Sequence, residues 1–131
     1  MTAHRVLVVD DNEMNVELAK FVLETDGFAV ESAVDAIEAL ERIPEFLPDL
    51  ILMDIQMPGM DGLELTRQLK ADPARKGILI VAFTAYAMRG DEARMRAAGC
   101  DGYLSKPIDA PTFAARVRSF LTNRDTGFGL P

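Results

Sequence analysis

Residues 49–62 read DLILMDIQMPGMDG, and the opening run decides the fold class. Leu50, Ile51, Leu52 and Met53 are apolar at successive positions, where a strand with one wet face would alternate. A run of this kind is covered on both sides, the mark of a parallel sheet sandwiched between helices. It stops at Asp54 and gives way to a loop rich in Pro and Gly, Ile55–Gly62. Arg5–Val9 (RVLVV) and Ile78–Phe83 (ILIVAF) repeat the pattern, with Gly102–Ser105 (GYLS) a shorter case and Phe28–Ala33 (FAVESA) a more polar one.

Helical patterns fill the gaps. Leu18, Phe21, Val22 and Leu23 form a stripe that Gly27 stops, and Ile37, Leu40 and Ile43 recur at helical spacing ahead of Pro44. Leu65 and Leu69 lie four apart, flanked by Leu63 and Thr66. Met88–Ala98 is a weaker amphipath stopped by Gly99. Phe113, Val117, Phe120 and Leu121 give the clearest stripe, with Asp109 placed to cap it. Repeated β-α units with short connections predict an α/β, doubly wound parallel sheet with helices on both faces. Residues 1–122 are expected to form the domain. Residues 123–131 lack periodicity and are expected to be a flexible C-terminal tail.

Composition removes several function classes. The chain has 131 residues, enough for one domain, and 49% apolar with 27% charged residues is ordinary for a globular protein. Fourteen basic against 21 acidic side chains give a net charge of −7, the wrong sign for nonspecific nucleic-acid binding. One cysteine, Cys100, and one histidine, His4, exclude an intrachain disulfide, a cysteine zinc site and a two-histidine metal site, and make a Ser–His–Asp triad improbable. The longest apolar run, Ile78–Phe83, is far too short to span a bilayer, and the N-terminus has no secretory pattern. A cytoplasmic protein without membrane or nucleic-acid partners is expected.

Ligands of open α/β sheets bind beyond the carboxyl ends of the strands. There the runs deliver Asp10 and Asp11, Asp54, Thr84 and Lys106. Singly, each is an ordinary cap or turn residue. Together they are a site. Clustered carboxylates repel unless a cation joins them, and a few hard oxygen donors with room for water suit Mg²⁺. Open positions on such an ion, an ammonium and a hydroxyl together suit a phosphoryl group. A carboxylate needs no general base to attack phosphorus, so Asp54, at the end of a central strand, is the nucleophile expected. Adjacent Asp10 and Asp11 suit the metal.

With these residues in place the chain resembles a response-regulator receiver domain. VLVVDDN, DLILMDIQMPGMDG, AFTA and GYLSKP occur in order and cover almost the whole chain. DNEMN, TAYAMRGDE and GYLSKPID are similar to single-domain cell-division regulators of the DivK type, and receiver segments of hybrid histidine kinases share much of this wording. The resemblance implies a flavodoxin-like, five-stranded sheet of order 2-1-3-4-5. It implies Asp54 as phosphoacceptor, Asp10, Asp11, Asp54 and the Gln56 carbonyl as Mg²⁺ ligands, and Thr84 and Lys106 as partners of phosphoryl oxygens. It further implies Thr84 and Tyr103 as switch residues, a cis Pro107, and Gln56 and Tyr86 as residues that tune hydrolysis. The phosphodonor would be a histidine kinase or histidine phosphotransfer protein, docking over Met14, Asn15, Leu18, Pro107 and Ile108. A downstream protein target would read the changed face of the fourth helix, fifth strand and fifth helix. No catalytic turnover beyond the chain's own phosphorylation and dephosphorylation is implied, and a monomer or weak dimer is expected. The start at Met1, close ahead of the first strand, favours a free-standing regulator.

Rival readings meet specific obstacles. Aspartyl-phosphate phosphatases place a second aspartate two positions after the first, where this chain has Asn12. A flavodoxin-like electron carrier needs a Ser, Thr and Gly loop to cradle phosphate, and DDNEMN would repel one. A phosphorylation-independent interaction module stands as the alternative, and a DNA-binding regulator would need a further output domain.

Overall fold

The computed structural model describes residues 3–55, 62–84 and 89–122. Strands and helices alternate: β1 (Arg5–Val9), α1 (Glu13–Thr25), β2 (Ala29–Ala33), α2 (Ala36–Phe46), β3 (Leu50–Asp54), α3 (Gly62–Ala71), β4 (Leu79–Thr84), α4 (Arg89–Ala98), β5 (Gly102–Ser105) and α5 (Ala110–Thr122). All pairings are parallel and the sheet order is β2-β1-β3-β4-β5, as expected from the sequence.

The continuous apolar runs are explained by two core layers. On one face Leu7, Val9, Ile51, Met53, Ile80 and Ala82 pack with residues of α2, α3 and α4. On the other, Val6, Val8, Leu50, Leu52, Val81 and Phe83 pack with residues of α1 and α5. Every β3 residue is buried. Each Leu or Ile so placed contributes roughly 1.5–3 kcal/mol by leaving water, so the central strands anchor the frame on which the site is built.

Two aspartates fix strand register at the amino edge by the same device. Asp49, just before β3, accepts the Arg5 N–H on Oδ2 (2.8 Å), while its own N–H donates to the Arg5 carbonyl (2.8 Å). Asp101, just before β5, does the same with Ile80, at 2.8 and 2.7 Å. Lys70 then closes this end, its Nζ meeting Asp101 Oδ2 (2.8 Å) and donating to the Ile78 and Lys76 carbonyls (2.8 and 3.2 Å). At the free side of β2, Glu31 pairs with Arg42 of α2 at 3.1 Å.

Helix limits follow local chemistry. Asn12 caps α1 by accepting the Asn15 N–H (3.1 Å), and Asp35 caps α2 by accepting the Glu38 N–H (2.8 Å). Gly27 and Gly99 stand at φ 93° and 104° after α1 and α4, a conformation that favours glycine. Asp109 takes the Thr112 hydroxyl on its carboxylate at 2.8 Å, and its carbonyl opens α5.

The structure corrects the inward faces of α1 and α2. Ala19 and Leu23 are the buried residues of α1, and Leu18 and Phe21 are exposed. In α2 the buried set is Ala36, Ala39 and Ile43, and Ile37 and Leu40 point outward. Small alanines let these helices lie close on β1 and β2. Pro44 also lies within α2 rather than beyond it, in the last turn, where its missing N–H leaves the Leu40 carbonyl without a helical partner on the exposed side of the helix. Among the described residues, no helix is long and apolar enough to cross a membrane.

Candidate functional site

Register assembles the site. Val9 pairs with Met53, and Asp54 with Phe83, so the residue following Val9 lies level with Asp54 on the adjacent strand. That residue is Asp10, held there by its N–H bond to the Ala33 carbonyl (3.0 Å). Thr84 pairs with Ser105, and the Lys106 N–H reaches the Thr84 carbonyl (2.7 Å), which carries Lys106 just past the same edge. Its Nζ lies over the Phe83 ring, 5.0 Å from the centroid. The ammonium ends 2.9 Å from Asp10 Oδ2 and 3.5 Å from Asp54 Oδ2.

The electrostatics are unusual for a core. Asp10 is 0% and Asp54 4% exposed, and Thr84 is fully buried beside them in sequence register with Ser105. Asp10 Oδ1 accepts the Asn12 N–H (2.8 Å), which orients the carboxylate. Its Oδ2 lies close to the ammonium yet accepts no hydrogen bond among the described residues. A buried carboxylate oxygen in that condition is an open coordination position. Asp10, Asp11 and Asp54 each offer an oxygen within 4.8 Å of the others, with Asp11 exposed. Three carboxylates set against the Lys106 ammonium leave an excess of two negative charges, which a divalent cation would match. The donors are all hard oxygens, so the set fits Mg²⁺. A cleft lined by Asp10, Asp11, Glu13, Val16, Glu17, Lys20, Ser32 and Val34 gives such an ion a way in.

Asp10, Asp11, Asp54, Thr84 and Lys106 therefore converge on one edge as the sequence reading requires. Tyr103 lies half-buried on β5 against the layer that holds α4, level with Ala82. The Lys106–Pro107 peptide is cis. Met14 and Leu18 are exposed on α1, Pro107 is exposed, and Asn15 and Ile108 are half-buried. Gln56 and Tyr86 lie outside the described residues, as do residues 123–131.

Two contributors escaped the sequence reading. Phe83 looks like one more core residue, yet its ring lies beneath the Lys106 ammonium. Gly62, the first residue of α3, lies so close to β3 that a Cβ there would strike the Asp54 carbonyl oxygen and come within 2.8 Å of Ile55 Cα. Any side chain there would have to push α3 away from the strand end that carries Asp54. A glycine directly after an aspartate, opening an apolar helix, was the available signal.

Residues 6–118 match the family model for the response regulator receiver domain. The polar-differentiation response regulator DivK of Brucella anthropi is 45% identical over 116 residues, covering 88% of this chain and 94% of that one. Among solved structures, a CheY-like response regulator receiver domain protein from Methanospirillum hungatei JF-1 superposes with a TM-score of 0.85 at 30% identity, covering 95% of this chain and 98% of the other. Chemotaxis protein CheY4 of Vibrio cholerae gives 0.85 at 27% identity, over 90% and 98%. Sheet order, acidic edge and sequence agree, and the chain belongs to the response regulator receiver domain family.

Proposed function

We propose that Asp54 is the phosphoacceptor of a two-component phosphorelay, and that its modification controls a partner protein. The observation behind this reading is the convergence of Asp10, Asp11, Asp54 and Lys106 on one sheet edge. A carboxylate oxygen of Asp54 attacks the phosphorus of a phosphohistidine. The new P–O bond forms as the P–N bond breaks, and the imidazole leaves with the electron pair. Asp10, Asp11, Asp54 and the Gln56 carbonyl would hold Mg²⁺, which when bound neutralises charge on the phosphoryl oxygens. Lys106 supplies a second positive charge against those oxygens, and the Thr84 hydroxyl donates a hydrogen bond to one of them.

Phosphorylation adds charge and acceptor oxygens at a fixed point. Thr84 moves toward them, and Tyr103 turns into the space it leaves, which changes the face formed by α4, β5 and α5. The donor, a histidine kinase or histidine phosphotransfer protein, docks on Met14, Asn15 and Leu18 of α1 with Pro107 and Ile108. In this reading the protein acts in the cytoplasm as a DivK-type regulator.

The decisive experiment is intact-protein mass spectrometry after incubation with acetyl phosphate. The expected result is a gain of one phosphoryl group with Mg²⁺, none with a chelator, and none in Asp54→Asn. Folded protein that stays unmodified, or is modified equally in Asp54→Asn, removes the reading and leaves an interaction module.

A further inference from the structure

Helix α2 turns its large apolar side chains away from the core. Its inward face is Ala36, Ala39 and Ile43, while Ile37 (73% exposed), Leu40 (42%) and the C-cap residue Leu47 (58%) lie along the outside, with exposed Pro44 between them. Exposed Val34 extends the stripe ahead of the helix. Single exposed leucines need no explanation, but a continuous stripe about three turns long marks a contact surface. Leu47 sharpens this. It caps α2 at φ 55°, the left-handed region where glycine closes a helix without steric penalty, and here an exposed leucine is held instead.

Charge identifies the occupant. Glu41 and Glu45 are exposed beside the stripe, one helical turn and about 6 Å apart along the axis. Neither has an ion-pair or hydrogen-bond partner among the described residues, whereas Glu31 and Glu38 share Arg42 at 3.1 and 3.6 Å. We infer that the outer face of α2 docks an amphipathic helix of a partner protein, with leucine-like side chains on the stripe and Lys or Arg residues one turn apart opposite Glu41 and Glu45. A second copy of this chain would bring a net charge of −7 and an identical acidic flank. Residues 123–131 carry one Arg, Arg124, balanced by Asp125, which leaves the two carboxylates unanswered. The stripe reaches the acidic cleft at Val34, which lines it with Asp10 and Asp11, whereas Ile37, Leu40 and Leu47 lie outside that lining, so docking on them does not require Asp54 chemistry.

The test titrates the ¹⁵N-labelled full chain with a synthetic helical peptide that carries a leucine stripe flanked by arginines one turn apart. A twin with glutamates in place of the arginines serves as control. Amide shifts confined to residues 34–47 are expected. Affinity should fall on the order of tenfold in Glu41→Lys/Glu45→Lys and with the glutamate twin, and binding should vanish in Ile37→Ser. Circular dichroism melts verify that these surface variants stay folded. No binding, equal binding of both peptides, or shifts centred on Met14 to Phe21 overturns the inference. Concentration-dependent shifts at 34–47 without peptide, giving the surface to a second copy, overturn it too. So does movement of those amides in Phe128→Ser/Leu130→Ser, which gives the surface to the chain's own C-terminal residues.

Discussion

The two edges of the sheet carry the same residue types and differ in how completely those residues are satisfied. At the amino edge, Asp101 accepts the Ile80 N–H and meets Lys70, and the Lys70 ammonium has three oxygen partners. At the carboxyl edge, Asp10 and Asp54 share Lys106, and Asp10 Oδ2 is buried without a hydrogen bond among the described residues. A filled set of partners makes a clamp. An unfilled set makes a receptor, because the missing interaction is left for a ligand to supply. The distinction lies in valence rather than in composition, and mutation of either end tests it.

The largest effect belongs to the carboxyl edge. Asp54→Asn should abolish phosphoryl acceptance altogether and weaken Mg²⁺ binding, read by mass spectrometry and by calorimetric titration with the metal. Lys70→Met should act in the opposite currency. It strands Asp101 and should lower unfolding free energy in urea by about 2 kcal/mol, less than for a fully buried pair because both side chains touch water. Phosphoryl acceptance in Lys70→Met should survive. Retained stability with lost acceptance in that variant would erase the contrast between the edges.

Cys100 gives a pH handle on the clamped end. Burial is the main cause that pushes its thiol from 9.0 up to about 11, with Thr66 opposing as a hydrogen-bond partner. The folded chain thus keeps a proton that the unfolded chain gives up. The associated stability is fully present below pH 9 and lost as pH rises toward 11, by about 3 kcal/mol at about 1.4 kcal/mol per unit. Urea midpoints of wild type and Cys100→Ala across this window should converge as pH rises. Parallel profiles would show that the thiol titrates alike in both states.

The smallest effect concerns Leu47. Glycine at that left-handed cap should stabilise the fold by up to about 1 kcal/mol, seen as a higher melting temperature. Phosphoryl acceptance should be unchanged. A lower melting temperature would mean that the leucine side chain contributes packing that its exposure conceals.

The strands were legible because an apolar run without alternation leaves few alternatives, and Asp54 and Lys106 were legible because a core has no use for a charge at its end. Valence was not legible. Asp49 reads as the first letter of a strand, and nothing in DLILM says that its carboxylate will clamp Arg5. Nor does Lys70 announce its partners, which lie six to 31 positions further along the chain. The outer stripes of α1 and α2 were misread for a related reason. Periodicity finds an apolar face, but the sheet chose the alanines on the neighbouring face because they allow closer approach.

An open sheet leaves β2 and β5 as edges to which another copy could add a strand, the first step toward polymerisation. The ion pair between Glu31 and Arg42 stands at one of these edges. A backbone arriving there would have to bury both charges before it gained a hydrogen bond. That pair thus works as a guard against sheet extension.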